Sequence, residues 1–274
     1  MAPKTNPKQK PNRIPFQKME GAGNDFIVLR PEYYALIDDP RQIQKLCDRH
    51  KGIGADGLIS VKAPDDLSYD FQMIYHNADG SSSCFCGNGA RCAVAFACDF
   101  FNLQKNITFR AYDGQHQAIV HDLEDIEISL RPTSTPNRIE DGYFVDTGSR
   151  HFCLQVDHLD QIDVFSEGRR WRHHEIFKPQ GVNVNFWTRH ENGIRMRTFE
   201  KGVEAETLAC GTGVVAVALS LHTSQKASQA TLSTSVEMKG GEFQVRARRL
   251  HAEGYEHIFL RGPVRQVFSG EILL

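Results

Sequence analysis

Three things are scarce or missing in this 274-residue chain. No apolar run approaches the ~18 residues that a helical membrane span requires, so a membrane-embedded protein is not expected. No charge sign is in excess: Lys and Arg number 32 against 34 Asp and Glu, a net charge of -2. A dedicated nucleic-acid binder carries a basic surplus, and that class is excluded. The N-terminus lacks an apolar core. Met1 to Arg13 holds Lys4, Lys8, Lys10, Arg13 and three prolines, without the roughly 7–15 apolar residues of a secretory signal. We read it as a disordered basic tail. The remainder, 40% hydrophobic and 24% charged, is globular rather than fibrous or disordered. Its length allows two domains or one large one.

The cysteines number seven. An odd count, no secretory segment and enough chain to bury a core argue against a disulfide framework. Reduced thiols in a cytoplasmic protein are expected, available for metal binding or catalysis.

Short alternating stretches dominate. Strands are predicted at 26–29, 58–61, 71–75, 107–111, 117–120 and 126–130, then at 143–146, 151–156, 182–187, 194–199, 231–238, 243–249, 257–261 and 264–268. Helices are predicted only near Pro40–Asp48, Asn88–Phe101, Phe165–Trp171 and Thr212–His222. This mixture implies an α+β or mixed α/β fold rather than a parallel doubly wound sheet.

The chain carries a weak internal repeat. Cys86-Gly-Asn-Gly-Ala-Arg-Cys-Ala-Val-Ala-Phe and Cys210-Gly-Thr-Gly-Val-Val-Ala-Val-Ala-Leu both open an apolar helix of small residues with Cys-Gly-x-Gly. Gly23-Asn-Asp-Phe26 and Gly148-Ser-Arg-His-Phe152 precede them at similar spacing. Two similar units, each with one buried helix, account for both. The boundary is expected in the Pro/Ser/Thr/Asn stretch Arg131–Arg138.

Glycines at a helix start let the backbone turn tightly and approach a ligand, and Asn88 and Thr212 can cap or donate. The first N–H groups have no intrahelical partner and the helix dipole is positive there, which suits a carboxylate or phosphate. The same end favours a thiolate. Two helices meeting at these ends would set two thiols on opposite sides of one anion. Other readings stand beside this. Cys47, Cys98 and Cys153 read as small buried hydrophobes. His76, Cys84, Cys86 and Cys92 form a local zinc candidate, although the Cys-x-Cys-x5-Cys spacing lacks the usual close pairs. A cysteine hydrolase needs one Cys with His and Asn or Asp, and leaves the twin motif unexplained. Gly52-Ile-Gly-Ala-Asp-Gly57 satisfies G-x-G-x-x-G, but it follows a predicted helix and leads into a strand, the reverse of a dinucleotide site.

Met19-Glu-Gly-Ala-Gly-Asn-Asp-Phe26, His76-Asn-Ala-Asp-Gly-Ser81, Cys86-Gly-Asn-Gly-Ala-Arg-Cys92, Gly181-Val-Asn-Val-Asn185 and Glu206-Thr-Leu-Ala-Cys-Gly-Thr-Gly213 together resemble the diaminopimelate epimerase family. The resemblance runs from about Phe16 to the C-terminus. It implies two pseudo-twofold related domains, each a curved mixed sheet around a central helix, at 14–138 plus 264–274 and at 139–263. The last strand, from Val264, would return to the first domain. It implies a cofactor-independent amino-acid epimerase, commonly a homodimer, interconverting LL- and meso-diaminopimelate for lysine and peptidoglycan precursors. By motif, Cys86 and Cys210 would be the acid/base pair, and His151 and Glu200 would tune them. Backbone donors of Gly87, Asn88, Gly211 and Thr212 would hold the α-carboxylate, with Asn24, Asn77 and Asn183 on the substrate's other polar groups. Two departures occur: Lys201 stands where many members have arginine, and Ser149 where many have asparagine. Both belong to the distal end of the substrate. A racemase of different specificity is the alternative, and a zinc module of Cys84, Cys86, Cys92 and His76 the non-enzymatic one.

Overall fold

The computed structural model describes residues 13–82, 85–191, 193–225, 229–250 and 253–273. The expected basic tail, apart from Arg13, lies outside them, as does Cys84.

The first half lays down β1 (Ile14–Gly21), β2 (Asn24–Leu29), β3 (Gly57–Lys62), β4 (Phe71–Asn77), β5 (Asn106–Ala111), β6 (Gly114–Asp122) and β7 (Asp125–Leu130). Neighbours pair in chain order, as antiparallel, parallel, antiparallel, parallel, antiparallel and antiparallel. The parallel pairs need crossovers, and helices supply them. A short turn α1 (Pro31–Tyr34) and α2 (Pro40–Cys47) join β2 to β3, and α3 (Gly87–Phe101) joins β4 to β5.

After β8 (Thr133–Ser134) and β9 (Asn137–Ile139), the pattern repeats. The strands β10 (Gly142–Asp146), β11 (Arg150–Gln155), β12 (Asn183–His190), β13 (Gly193–Glu200), β15 (Thr231–Met238), β16 (Gly241–Leu250) and β17 (Gly254–Pro263) pair in the same sequence of directions. The crossovers are α4 (Val164–Arg172) and α5 (Gly211–Ser224), with the three-residue β14 (Ala205–Thr207) before α5. β17 pairs antiparallel with β7, so the halves share one continuous sheet. The last strand, β18 (Arg265–Ile272), crosses back to pair with β1. The mixed two-unit fold and the returning last strand are therefore as the resemblance implied.

α3 and α5 are the helices that the sheet encloses. Every residue of α3 from Gly87 to Cys98 is buried, and α5 is apolar on all sides. A helix without a polar face is stable only where other elements cover it. Ala, Gly and Val let the strands approach closely. α3 ends at Asn102, whose φ of 54° is the left-handed C-cap conformation.

β1 was absent from the strands expected. Its alternation is broken at Lys18, which is buried rather than solvent-facing because its Nζ lies 2.7 Å from the Asp25 carboxylate. Gly52–Gly57 connects α2 to β3, helix before strand, the reverse of the element order at a dinucleotide site.

Candidate active site

Cys86 and Cys210 occupy the same position in the two halves, each the N-cap of its central helix. The first intrahelical bonds are Ala90 N–H to Cys86 O at 2.8 Å and Val214 N–H to Cys210 O at 2.9 Å. The preceding N–H groups of Gly87, Asn88, Gly211 and Thr212 have no intrahelical acceptor and point off the helix ends. The two ends meet. An atom at the Cβ position of Gly211 would lie 3.6 Å from Asn88 Oδ1. Leu260 of β17 lies beneath both helix starts, and Ile128 of β7, its partner across the join between the halves, beneath that of α3.

A cavity of about 190 Å³ lies at this meeting point, lined by Asn24, Tyr75, Asn77, Phe85, Cys86, Gly87, Asn88, Ser149, Glu200, Ala209, Cys210, Gly211 and Thr212. It adjoins an outer cavity of about 530 Å³ that shares Asn24, Tyr75, Asn77, Cys86 and Glu200 and extends to Arg49, Asp56 and Val203. Most of the residues picked from motifs therefore converge. Three do not reach the inner wall. His151 is fully buried behind Thr212. Asn183 turns both ends of its amide to backbone, donating to Arg150 O at 3.2 Å and accepting from Lys201 N–H at 2.8 Å. Lys201 is exposed.

The two sulfurs sit in different surroundings. The Cys86 Sγ accepts from Gly89 N–H at 3.4 Å and remains partly open to the cleft. The Cys210 Sγ has no such capping bond and lies 3.6 Å from the Thr212 hydroxyl. Burial pushes the pKa of both thiols up, and the Glu200 carboxylate pushes both further. Burial also raises Glu200, with the Asp56 charge adding to it. His151 is held down to about 3 by burial, so it is neutral.

Asn88 is oriented by a polar chain. The buried Arg91 donates to Asn88 Oδ1 at 2.7 Å, Asn88 donates to Asn24 Oδ1 at 2.6 Å, and Asn24 donates to Asp56 Oδ2 at 2.9 Å. An arginine has only donors, so its end of the chain fixes which way each amide faces. Arg49 closes the other end on Asp56 and Asp25. Against opposing burial, Arg49 and Lys18 hold Asp25 down to about 2.

Motif reading missed Tyr75, Arg91 and Asn185. Tyr75 stands two residues before Asn77 on β4, and its hydroxyl donates to Asn77 Oδ1 at 3.1 Å. Asn185 stands two residues after Asn183 on β12. Strand alternation puts i and i+2 on one face, a signal that could have found both, and Asn185 also closes the Gly181–Asn185 motif. Of the local zinc candidate, Cys92 is buried on α3 and Cys84 lies outside the described residues; among the described residues no group of His, Cys, Asp or Glu is arranged to hold a metal ion.

A family model described as diaminopimelate epimerase matches residues 16–130 and 143–267, one stretch in each half. The diaminopimelate epimerase of Flavobacterium psychrophilum is 38% identical over 263 residues, 93% of this chain and 98% of that protein. That of Chlorobaculum tepidum is 40% identical over 268 residues, 93% and 100% of the two chains. Among solved structures, a Bacillus anthracis phenazine biosynthesis protein of the PhzF family superposes with a TM-score of 0.73 at 14% identity, covering 96% of this chain and 99% of its own. A hydroxyproline epimerase from Agrobacterium vitis gives 0.68 at 13% identity, over 96% and 93%. At such identities these two establish a shared fold alone.

Proposed function

The chain belongs to the diaminopimelate epimerase family, and from that premise we propose that Cys86 and Cys210 act as the two bases of a proton exchange at one carbon. The enzyme is an isomerase that interconverts LL- and meso-diaminopimelate, a step of lysine biosynthesis. Relatives named for this activity span nearly the whole chain, and they favour neither the racemase of other specificity nor the zinc module.

The observation that carries the assignment is the single inner cavity with both thiols on its wall, at the touching ends of two helices. The α-carboxylate takes the N–H groups of Gly87, Asn88, Gly211 and Thr212, where two helix dipoles add positive potential. This sets the α-carbon between the sulfurs. One thiolate takes the α-proton, breaking Cα–H and forming S–H. The opposite thiol then gives its proton to the other face of the carbanion, and roles exchange in reverse. The carbanion is stabilised by donors already in place. Burial helps as well: a thiol that resists ionisation leaves a thiolate that is a stronger base. No residue in this scheme requires a cofactor.

Asn24, Asn77 and Ser149 open on the cavity and take the substrate's remaining polar groups. Asn183, which opens β12, and Lys201, which follows β13, serve the distal end of the substrate, with Lys201 offering a point charge rather than a bidentate grip on a carboxylate. Glu200 and His151 tune the two thiols. We further take the lobes as 14–138 with 264–274 and 139–263, and the working form as a cytoplasmic homodimer, where thiols stay reduced. Among the described residues no helix is long and apolar enough to cross a membrane.

Incubation with diaminopimelate in D2O should place deuterium at the α-carbon as the isomers interconvert. Cys86→Ala and Cys210→Ala should each lower epimerisation by at least about 10²-fold, the usual worth of a positioned acid or base. Full epimerisation in either variant would end the two-base assignment.

A further inference from the structure

The two helix starts repeat in backbone but not in what lies beneath them. An atom at the Cβ position of Gly89 on α3 would meet Ile59 Cδ1 at 3.2 Å and Phe26 Cε1 at 3.5 Å. At Gly213, the matching residue of α5, it would meet Asn185 Oδ1 at 2.6 Å. Ile59 and Asn185 are each the third residue of the equivalent strands β3 and β12. Phe26 and His151 face the first residues of those strands, Gly57 and Asn183. The first half thus packs hydrocarbon where the second buries Asn185 and His151. A role limited to packing is already met by the apolar pair.

We infer that Asn185 is a positioning residue that sets the proton direction of a buried chain, Asn185–His151–Thr212–Cys210, so that the Thr212 hydroxyl donates to the Cys210 sulfur and favours its thiolate. The inference rests on Cys210 being one of the two bases. Thr198 Oγ1, on the adjacent β13, donates to Asn185 Oδ1 at 2.9 Å. That turns the Asn185 amide nitrogen toward His151 Nδ1 at 3.1 Å, with Cys153 Sγ 3.5 Å from the same nitrogen. An amide nitrogen only donates, so Nδ1 accepts. His151 is fully buried. Burial and the Lys201 charge both disfavour its cation, so the ring holds one proton and Nδ1 is not its site. The proton is on Nε2, which donates to Thr212 Oγ1 at 3.0 Å. The hydroxyl proton is then free to point at Cys210 Sγ, 3.6 Å away.

The other groups that face Cys210 act in both directions. The Glu200 carboxylate of β13 and the Cys86 sulfur at the head of α3 disfavour its thiolate, and the Gly213 N–H favours it. The Thr212 hydroxyl is the side-chain donor on the favouring side. Cys86 is favoured by the Gly89 and Asn88 N–H groups and the Arg91 charge, none of them a side-chain hydroxyl.

The test is alkylation by iodoacetamide between pH 6 and 10, with Cys86 and Cys210 quantified separately by peptide mass spectrometry. A hydrogen bond to a charged acceptor is worth enough to shift ionisation by about tenfold. In Asn185→Leu and in Thr212→Val, Cys210 should react about tenfold more slowly at pH values below its ionisation, while Cys86 is unchanged. Thr212→Ser, which keeps the hydroxyl, should react like the unaltered protein. The ¹⁵N spectrum of His151 should show the proton on Nε2. An unchanged Cys210 rate in Thr212→Val, equal slowing of both cysteines, or a His151 proton on Nδ1 each overturns the inference. If Asn185→Leu does not fold, the Thr212 pair and the spectrum still decide it. Epimerisation by Cys210→Ala separates the two failures: full inversion there refutes the base assignment and leaves the measured proton direction standing.

Discussion

His151 offers a prediction that can be worked through in free energy. Its side chain is fully buried and hydrogen-bonded at both ring nitrogens, and burial lowers its pKa from 6.5 to about 3. In the unfolded chain the ring takes a proton as pH falls below 6.5; in the folded protein it does not until pH 3 is approached. Stability from this residue is therefore intact at pH 8 and is lost progressively between pH 6.5 and 3. At pH 5 the unfolded state gains 1.5 pH units of protonation that the folded state lacks, or about 2 kcal/mol. His76 and His222 are also lowered by burial and add losses of the same sign, so total pH dependence does not isolate His151. The comparison that does is urea unfolding of the unaltered protein and of His151→Gln at pH 8 and pH 5. The unaltered protein should lose about 2 kcal/mol more than the variant between these values, whatever the variant's stability at pH 8. Parallel losses, within about 0.5 kcal/mol, would mean that His151 is hydrated or charged in the folded state. The proton direction inferred for the Cys210 chain would fall with that result.

Two further predictions test how the helix starts are built. Gly213→Ala would put a methyl 2.6 Å from the buried Asn185 Oδ1 and 3.3 Å from the Cys210 sulfur. It should cost about 1–3 kcal/mol in urea unfolding and most of the activity. Gly87→Ala meets nothing closer than 3.6 Å and should stay within about 1 kcal/mol. Arg91→Met removes two donated bonds, to Asn88 Oδ1 and Pro263 O, but also a buried charge whose pKa burial pushes down to about 10. These offset, so stability should change by less than about 2 kcal/mol. Steady-state kcat should nonetheless fall about tenfold, because Asn88 loses the donor that turns its amide toward Asn24. Unaltered kcat would show that the amide chain does not orient the site.

Much of the fold was readable locally. Phe26–Leu29 is a continuous apolar run of the kind a doubly covered sheet accepts, and Ile126–Leu130 alternates apolar and polar residues with the period of a strand. The twin Cys-Gly-x-Gly motifs state their chemistry in adjacent residues, since a helix start, its free N–H groups and its capping thiol occupy one short segment. β1 was not readable, because Lys18 is buried by an ion pair with a carboxylate on the next strand. Nor was the chain behind Cys210.

The sequence by itself determined the two central helices, the thiols that open them and the repeat that makes them a pair, because each is a property of neighbouring residues. Tertiary structure decided which residues serve those thiols. Asn185 reaches His151 because β12 lies parallel to β11, with Asn183 opposite His151. It meets Thr198 because β13 returns in a single register. A slip of one residue would turn Asn185 to the other face of the sheet and leave His151 without a donor. Long-range pairing, which no local pattern specifies, gave the two similar helix starts their different surroundings.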